Sequence, residues 1–463
     1  MALVLAVSIG LIGCGGPGGG GPTPSDKIVI AASASKTGPL SPIHSLAKAP
    51  ITGVYTGMHP KINVEGTEYP VELDIRDDAS ILANMLDNTE DIIDDIQEGK
   101  VHFLLGPTCT AYLERQAALC SPAKVVQMGM EGGATSLFDE LMNYEYSFFN
   151  LSFSNWFQIP VLAKMLAEAH EAYNATDPCE AVIGYQNDDH GLEYNDQATK
   201  YFAKEGIDIK KAEPITSATV LENLVQYAKD NNIDILCIFG YTDWTWTVHA
   251  VCMAKEYNPK ALVCGPGVNF GLYYSGLAPA EIPPIAGNAS NGVITFAVAN
   301  NKTTGWAGDV IRTMEAAVSM GATDYWGHPL YWKAMDFIYA GAAAVGSNNG
   351  GEGFTIDQTE FRDYIANLGP DDVDIWYVTP EPLGDNYSWT DEQLVNPVPD
   401  DYAGLLNYKC HTGEIGQWQA QEDGSMYLEI VGYDGIGETG DEYELVNYQV
   451  TAPFVYPKPA WPE

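Results

Sequence analysis

The sequence predicts an α/β protein made of two doubly wound parallel-sheet lobes joined by a hinge. Short apolar runs alternate with segments of helical periodicity, which is typical of parallel sheets with right-handed crossovers. The alternation occurs in two series, one ending near residue 150 and the next near residue 271. The chain has 463 residues, enough for two or three domains. Two similar lobes account for both observations.

The first series begins at Lys27 and supplies five predicted strands. They read KIVIAASAS, VELDIRDD, VHFLLG, KVVQMG and YEYSFFNLS. A helix is predicted near 45–58, after a Gly-Pro loop. A second helix follows VELDIRDD, because apolar residues recur there at helical spacing. Those residues are Ile81, Leu82, Met85, Leu86, Ile92, Ile93 and Ile96.

The second series begins after Asn155 with a helix to about 173. Strands EAVIGYQND, 207–213, DILCIFG and ALVCG follow, with helices between them that include 219–231 and 243–257. Beyond 290 the sequence predicts the strand NGVITFAVA and helices around 306–320, 329–346 and 356–368. The acidic, proline-rich stretch 370–401 is predicted to be a surface excursion, and the last 60 residues to be strands and turns. We expect the first lobe to comprise 27–150 and about 297–408, and the second 151–296 and about 409–463.

The amino-terminal segment predicts export and lipid anchoring. Residues 1–14 are apolar and uncharged, with the length of a signal-peptide core rather than a membrane span. Leu11-Ile12-Gly13-Cys14 resembles the lipobox of prokaryotic lipoproteins, in which the cysteine sulfur receives the lipid. An ordinary signal peptide with a chance cysteine is the alternative. Residues 15–26, which read GGPGGGGPTPSD, are predicted to be a flexible tether.

Charge and motif content exclude several function classes. Acidic residues outnumber basic ones 62 to 22, and the net charge of −40 argues against a nucleic-acid partner. The sequence contains no GxSxG, HExxH or GxxxxGK[ST] motif and no CxxC spacing, so we predict no enzyme, no metal and no cofactor. Seven cysteines follow Cys14. The sequence allows one or two disulfides among them and does not define their pairing.

Polar loops follow the predicted strands. They are SKTGPLSPIH, GPTCTAY, MEGGATS, NDDHGLEY, GYTDWTW and GPGVNFG. In doubly wound sheets the loops after the carboxyl ends of the strands collect at one edge, where ligands bind. These loops therefore predict a ligand cleft between the lobes.

In the order of these loops, the sequence resembles the type I periplasmic solute-binding proteins of ABC importers, specifically the branched-chain (Leu/Ile/Val) amino acid group. The resemblance covers roughly residues 27–300, and more loosely GEIGQWQAQEDG near the carboxyl terminus. It implies an extracytoplasmic protein that delivers a small molecule to an ABC permease. Held by a lipid anchor, such a protein would lie on the outer face of the cell membrane, and we expect a monomer.

The resemblance implies ligand contacts by position. In the first lobe, Thr110, Gly133 and Thr135 match the hydroxyls and amides that hold an α-carboxylate. Such groups at a helix start also suit an anion on physical grounds, although Thr110 could instead cap its own helix. In the second lobe, Tyr241 matches an aromatic residue that closes over the ligand, and His190 matches a further contact.

Other positions are less settled. In the first loop either Ile43 or His44 would contact the ligand. Where the family often has a carboxylate for the ligand ammonium, this sequence has Gly267, with the neutral Asn269 nearby. The missing charge could come from one of four acidic residues, namely Glu131, Asp188, Asp189 or Asp243. Alternatively, the ligand is an amide, a urea-like compound or another carboxylate.

Three functions therefore compete. The first is hinge closure around a small ligand, with delivery to a permease. The second is a ligand-sensing ectodomain that uses the same cleft. The third, and least supported, is a hydrolase with Cys109 as nucleophile and His190 as base.

Overall fold

The computed structural model describes most of the chain between Thr23 and Trp461. The described residues are 23–41, 44, 48–107, 109–129, 144–149, 155–268, 287–297, 300–303, 306–318, 323, 325, 327–366, 415–421, 425–433, 448–450 and 452–461. Cys14, Gly133, Thr135, Asn269 and the excursion 370–401 lie outside these ranges.

The first sheet has six strands among the described residues, in the order β2-β3-β1-β4-β5-β6. The strands are β1 (Ile28–Ala34), β2 (Lys61–Val64), β3 (Thr67–Asp77), β4 (Phe103–Leu105), β5 (Gln127–Gly129) and β6 (Ser147–Phe149). All pair in parallel except β2, which is an antiparallel edge strand on β3. The helices of this series are α1 (Ala49–Met58), α2 (Leu82–Gln97) and α3 (Thr110–Ala123).

The second sheet has eight described strands, in the order β14-β13-β12-β11-β10-β9-β7-β8. They are β7 (Glu180–Gln186), β8 (Asp208–Ile215), β9 (Ile235–Phe239), β10 (Ala261–Cys264), β11 (Ile294–Phe296), β12 (Ile415–Ala420), β13 (Met426–Tyr433) and β14 (Gln449–Val450). The strands β7 to β11 pair in parallel, whereas β12, β13 and β14 extend the sheet in antiparallel fashion. The associated helices are α4 (Asn155–Asn174), α5 (Asp189–Lys204), α6 (Ala218–Asp230), α7 (Thr242–Thr245) and α8 (Val248–Ala254).

Three further helices belong to the first sheet's side of the molecule. They are α9 (Trp306–Ala317), α10 (Gly327–Val345) and α11 (Gln358–Ala366). Helix α10 packs against α1 and β2, and α9 and α11 pack against α10. The chain thus returns to the first sheet after completing β11, and then to the second sheet with β12.

The central strands are apolar along their whole length because helices cover both faces of each sheet. Every residue of β1 and of β9 is buried. Helix α2 turns one apolar face toward the first sheet, with Met85, Ile92 and Ile96 buried. These facts confirm the prediction of a two-sheet α/β fold.

The described cysteines are reduced and lie in the interior. They are Cys109, Cys120, Cys179, Cys237, Cys252 and Cys264. None of the helices in the described ranges combines the length and the apolar character that crossing a bilayer requires.

Candidate functional site

The two lobes contact each other through the loops that follow their strands. Tyr241, which directly precedes α7, packs against a cluster formed by Met85, Cys109 and Tyr112 of the first lobe. Thr242 donates a hydrogen bond to the carbonyl of Pro39 at 3.5 Å. The predicted cleft is therefore bordered by the carboxyl ends of both sheets.

The first-lobe wall is built around the start of α3. Cys109 adopts φ 76°, in the left-handed region that non-glycine residues seldom occupy, and Thr110 is the first helical residue. Cys109, rather than Thr110, holds the capping position. The lack of a side chain at Gly106 lets the chain after β4 lie close to the end of β5, because a Cβ at Gly106 would lie 2.7 Å from the Cα of Gly129. Thr110 is buried, with 1% of its surface exposed.

A buried lysine fixes the preceding loop. The Lys48 ammonium donates to the carbonyl of Gly106 at 2.5 Å and to that of Ser33 at 3.3 Å, joining the ends of β1 and β4. His44 lies nearby and is also buried, and its Nδ1 has no hydrogen-bond partner in the described part of the chain. Burial, together with the Lys48 charge, lowers the pKa of His44 to about 4. His44 therefore presents a neutral imidazole.

The second-lobe wall is an aromatic pair. The His190 ring stacks on the Tyr241 ring, with centroids 5.3 Å apart and planes 7° apart, and its other side meets Tyr194 at 4.9 Å. Burial lowers the pKa of His190 to about 4, against a smaller opposing effect of Asp188. Both His190 ring nitrogens are buried without a hydrogen-bond partner among the described groups. Buried polar atoms of this kind are costly unless a ligand or water satisfies them.

Gln186 and Thr242 border the same region, although the sequence analysis did not single them out. Gln186 ends β7, and its Oε1 is buried without a described partner. The side chain of Gln186 approaches Gly240, which leads into Tyr241. A polar residue at the last position of a buried parallel strand was the available signal for Gln186.

Gly267 cannot carry a side chain in this arrangement. A Cβ at Gly267 would lie 2.2 Å from Oγ1 of Thr245 and 2.9 Å from the backbone of Tyr241. The indole of Trp246 also donates a hydrogen bond to the carbonyl of Gly267. The packing of α7 therefore leaves no room for a carboxylate side chain at this position.

The acidic candidates differ in how far they are already engaged. Asp188 caps α5 by accepting a hydrogen bond from the amide of Gly191 at 2.9 Å. Asp189 is exposed in the first turn of the same helix. Glu131 lies outside the described residues, as does the side chain of Asp243. Across the described residues no cluster of His, Cys, Asp and Glu has the arrangement of a metal site.

No protein-family model matches this chain, and no curated protein sequence matches it. Solved structures do resemble it. A leucine-binding protein from Thermotoga maritima is 14% identical with a TM-score of 0.59, covering 87% of this chain and 97% of that one. A branched-chain amino acid transporter substrate-binding protein from Streptococcus pneumoniae, in complex with isoleucine, is 13% identical with a TM-score of 0.60, covering 88% and 99%.

A third similar structure is a solute-binding protein of an ABC transporter from Rhodopseudomonas palustris, in complex with 3,4-dihydroxybenzoic acid. It is 13% identical, has a TM-score of 0.57, and covers 75% of this chain and 86% of that one. At these identities the likeness concerns the fold. The chain has the two-lobe fold of the type I periplasmic binding proteins.

Proposed function

We propose that this protein is an extracytoplasmic solute-binding protein that closes two lobes around a small ligand for an ABC importer. The observation that carries the proposal is the contact of Tyr241 with Met85, Cys109 and Tyr112 at the carboxyl ends of both sheets. A ligand held by both walls would favour the closed arrangement over the open one. The similar structures include carriers of leucine and isoleucine, which supports this class of activity.

The first lobe would hold the ligand's carboxylate. Thr110 would donate its hydroxyl, and Gly133 and Thr135 would complete the cup with an amide and a second hydroxyl. Amides at the start of α3 add a favourable partial charge for an anion. His44 would contact the ligand from the first loop.

The second lobe would close over the other end of the ligand. Tyr241 would cover it, with His190 behind and Asn269 beside it. A neutral imidazole carries one donor and one acceptor, so His190 suits an amide or hydroxyl of the ligand better than an ammonium group.

A ligand without an α-ammonium group is the second candidate, favoured by the packing at Gly267. One similar structure holds 3,4-dihydroxybenzoic acid, a carboxylate that has no amine. Amides and urea-like compounds remain in the same class. We keep branched-chain and other amino acids as the first candidate, because Glu131 or Asp243 could still bind an ammonium group.

The cellular setting is part of the proposal. Cys14 would carry the lipid, residues 15–26 would form the tether, and the monomer would remain on the outer face of the membrane. The lobe bounds stay as predicted: 27–150 with about 297–408, and 151–296 with about 409–463. A sensing protein would use the same cleft. It would bind the ligand but would not support uptake when it is reconstituted with an ABC permease.

The test is a thermal-shift panel on the chain lacking residues 1–25, with common amino acids, small amides, urea and aromatic carboxylates. A ligand at 100 times its dissociation constant stabilises the folded state by about 2.7 kcal/mol. Thr110→Ala should weaken binding about 10- to 150-fold, since a hydrogen bond to a charged group contributes about 1.5–3 kcal/mol. Thr199→Ala, at an exposed threonine of α5, is the matched control.

The outcomes separate the candidates. A shift with leucine, isoleucine or valine that Thr110→Ala removes supports the amino acid reading. A shift with an amide or an aromatic carboxylate alone supports the second candidate. Turnover of an amide substrate that Cys109→Ala abolishes would contradict both and support the hydrolase.

A further inference from the structure

A second concave site lies on the second lobe, away from the cleft. It is a groove of about 420 Å³ between α4 and the carboxyl-terminal segment. We call it the tyrosine groove; it is lined by Met165, Glu168, Ala169, Ala172, Tyr173, Tyr448, Val450, Phe454 and Tyr456. Its volume falls within the range of small-molecule sites, about 300–1,000 Å³.

The groove lies at the opposite end of the second sheet from the cleft. His170, one turn from Tyr173, has Nε2 3.1 Å from the carbonyl of Asp177, just before β7. Lys260, directly before β10, lies against Tyr173. The cleft residues His190 and Tyr241 follow the carboxyl ends of β7 and β9 instead. A ligand in the groove would therefore be separate from one in the cleft.

Hydrogen bonds hold two of the aromatic rings in place. The hydroxyl of Tyr456 lies 2.9 Å from Nδ1 of His170. The hydroxyl of Tyr448 donates to Oε2 of Glu168 at 3.1 Å. Since these hydroxyls are engaged, the rings themselves are what Tyr448 and Tyr456 offer to a ligand.

The remaining rings complete an aromatic wall. Tyr173 meets Tyr456 edge-on, with centroids 5.9 Å apart, and Phe454 lies parallel to Tyr456 at 6.3 Å. Tyr173 is 53% exposed, so part of its ring is open to solvent at the groove. Three or four rings around one space are the arrangement that attracts organic cations.

Charges of both signs lie around the groove. Glu168 supplies a carboxylate at the rim, which Lys164 approaches at 3.5 Å. Lys260 places its ammonium over the Tyr173 ring, 5.4 Å from the centroid. That lysine is itself held by Asp234 at 2.7 Å. The net charge of −40 further raises the local concentration of cations.

We propose that the tyrosine groove is a second binding site, for a small organic cation of the quaternary-ammonium class. Aromatic rings bind such cations through their negative faces, and a carboxylate at the rim adds attraction without requiring a hydrogen-bond donor on the ligand. The site does not depend on the function proposed for the cleft.

Calorimetric titration of the full chain with choline tests the proposal. The control ligand is 3,3-dimethylbutan-1-ol, which has the same shape without the charge. We expect saturable choline binding with a dissociation constant on the order of 1 mM, and binding of the neutral analogue at least about fivefold weaker. Equal affinity for the two ligands, or no saturation by about 50 mM choline, would overturn the proposal.

Variants locate the binding. Tyr173→Leu should weaken choline binding about fivefold or more. This ring is 53% exposed, so we expect the variant to fold. Tyr227→Leu is the matched control, because that ring also lies near a lysine, Lys211 at 5.4 Å, but outside the groove. Thr110→Ala should leave choline affinity unchanged. If Thr110→Ala lost choline affinity, or if Tyr173→Leu kept it, choline would bind elsewhere and the proposal would be contradicted.

Discussion

Gly267 shows how one residue can exclude a chemical group from a site. The sequence revealed only that the family's carboxylate is absent. The structure adds that Thr245 of α7 and the backbone of Tyr241 occupy the space that a side chain would need, while the indole of Trp246 binds the carbonyl of Gly267. A compensating acidic residue must therefore come from another loop if the ligand has an ammonium group.

Gly267→Asp should destabilise the protein rather than restore an amino acid site. Its Cβ would overlap Thr245 and the backbone of Tyr241, and overpacking of this kind costs about 1–3 kcal/mol or more. Urea unfolding measures the free energy of unfolding. Gly53→Ala is the control, because an added Cβ meets nothing within 4 Å in exposed α1, and it should stabilise by about 0.5–1 kcal/mol. A Gly267→Asp variant of unchanged stability would refute this packing argument.

His190 predicts how stability depends on pH. Its pKa is about 4 in the folded protein, lowered by burial, against an ordinary value of 6.5. Between these values the unfolded chain binds more protons, so the contribution is fully present above pH 6.5 and is lost as pH falls toward 4. Between pH 7 and pH 5 the loss should be about 2 kcal/mol.

His190→Phe keeps an aromatic ring beside Tyr241 and removes the titration. The free energy of unfolding of this variant should fall less steeply between pH 7 and pH 5 than that of the wild-type protein. His44 and His102 also have pKa values lowered to about 4 by burial, and they titrate equally in both proteins. Identical pH profiles would contradict the assignment to His190.

Among the elements, β2 and the first residues of β3, which form a hairpin, were not predicted from the sequence, whereas the rest of β3 was predicted as VELDIRDD. The segment KINVEGTEYPV contains polar residues at every second position, because β2 is an edge strand with one face in solvent. Glu65 and Gly66 turn the chain with φ 49° and 87°. A Glu-Gly pair between alternating segments was the available signal. The long buried strands, by contrast, were predictable from their uninterrupted apolar runs.

The predicted helix 243–257 is two helices, α7 and α8, separated at Trp246 and Thr247. Trp246 is fully buried, and its indole is committed to the carbonyl of Gly267. This contact sets the break between α7 and α8. Gly267 lies 21 residues away from Trp246, so the local periodicity of the sequence does not reveal it. Tyr241 directly precedes α7, so this break lies next to a residue of the candidate site.

Strand β12 depends on one side-chain amide. Gln417 donates to the carbonyl of Val455 at 3.0 Å and accepts from the amide of Val455 at 2.8 Å, so it acts as a strand partner for the carboxyl-terminal segment. Gln417→Glu would place a carboxylate against that carbonyl and against the carbonyl of Gly292. We expect a loss of about 2–4 kcal/mol in the free energy of unfolding, because a buried charge is left poorly paired.

Chemical denaturation checks this effect, with Gln97→Glu, at an exposed glutamine of α2, as the matched control. The control should change the free energy of unfolding by less than about 0.5 kcal/mol. Equal behaviour of the two variants would show that the segment from 452 to 461 is held without Gln417.

At the scale of the whole molecule, like charge is the dominant electrostatic feature. A net charge of −40 opposes the compact state through self-repulsion. Salt shortens the range of this repulsion to about 10 Å at 0.1 M. The melting temperature should therefore rise by several degrees between about 0.05 and 0.5 M NaCl. If screening is the cause, KCl should raise the melting temperature as much as NaCl does. A melting temperature that stays constant or falls with added salt would contradict the role of charge repulsion.

The general fold was predictable because the alternation of strands and helices is a local property of the sequence. The site was only partly predictable. His190 and Tyr241 were singled out separately, but their stacking depends on how α5 and α7 lie side by side. Gln186 and Lys48 were missed because their importance comes from partners far away in the chain. The assignments to Gly133, Thr135 and Asn269 stay predictions.

The order of the strands also governs how the protein can be made. Strand β11 pairs with β12 through Phe296 and Ile415, and helices that pack on the other lobe lie between them in the chain. A ribosome adds about 5–20 residues per second, so the apolar edge of β11 waits for many seconds before its neighbour is synthesised. The second sheet can therefore be completed only after its carboxyl-terminal strands have been synthesised.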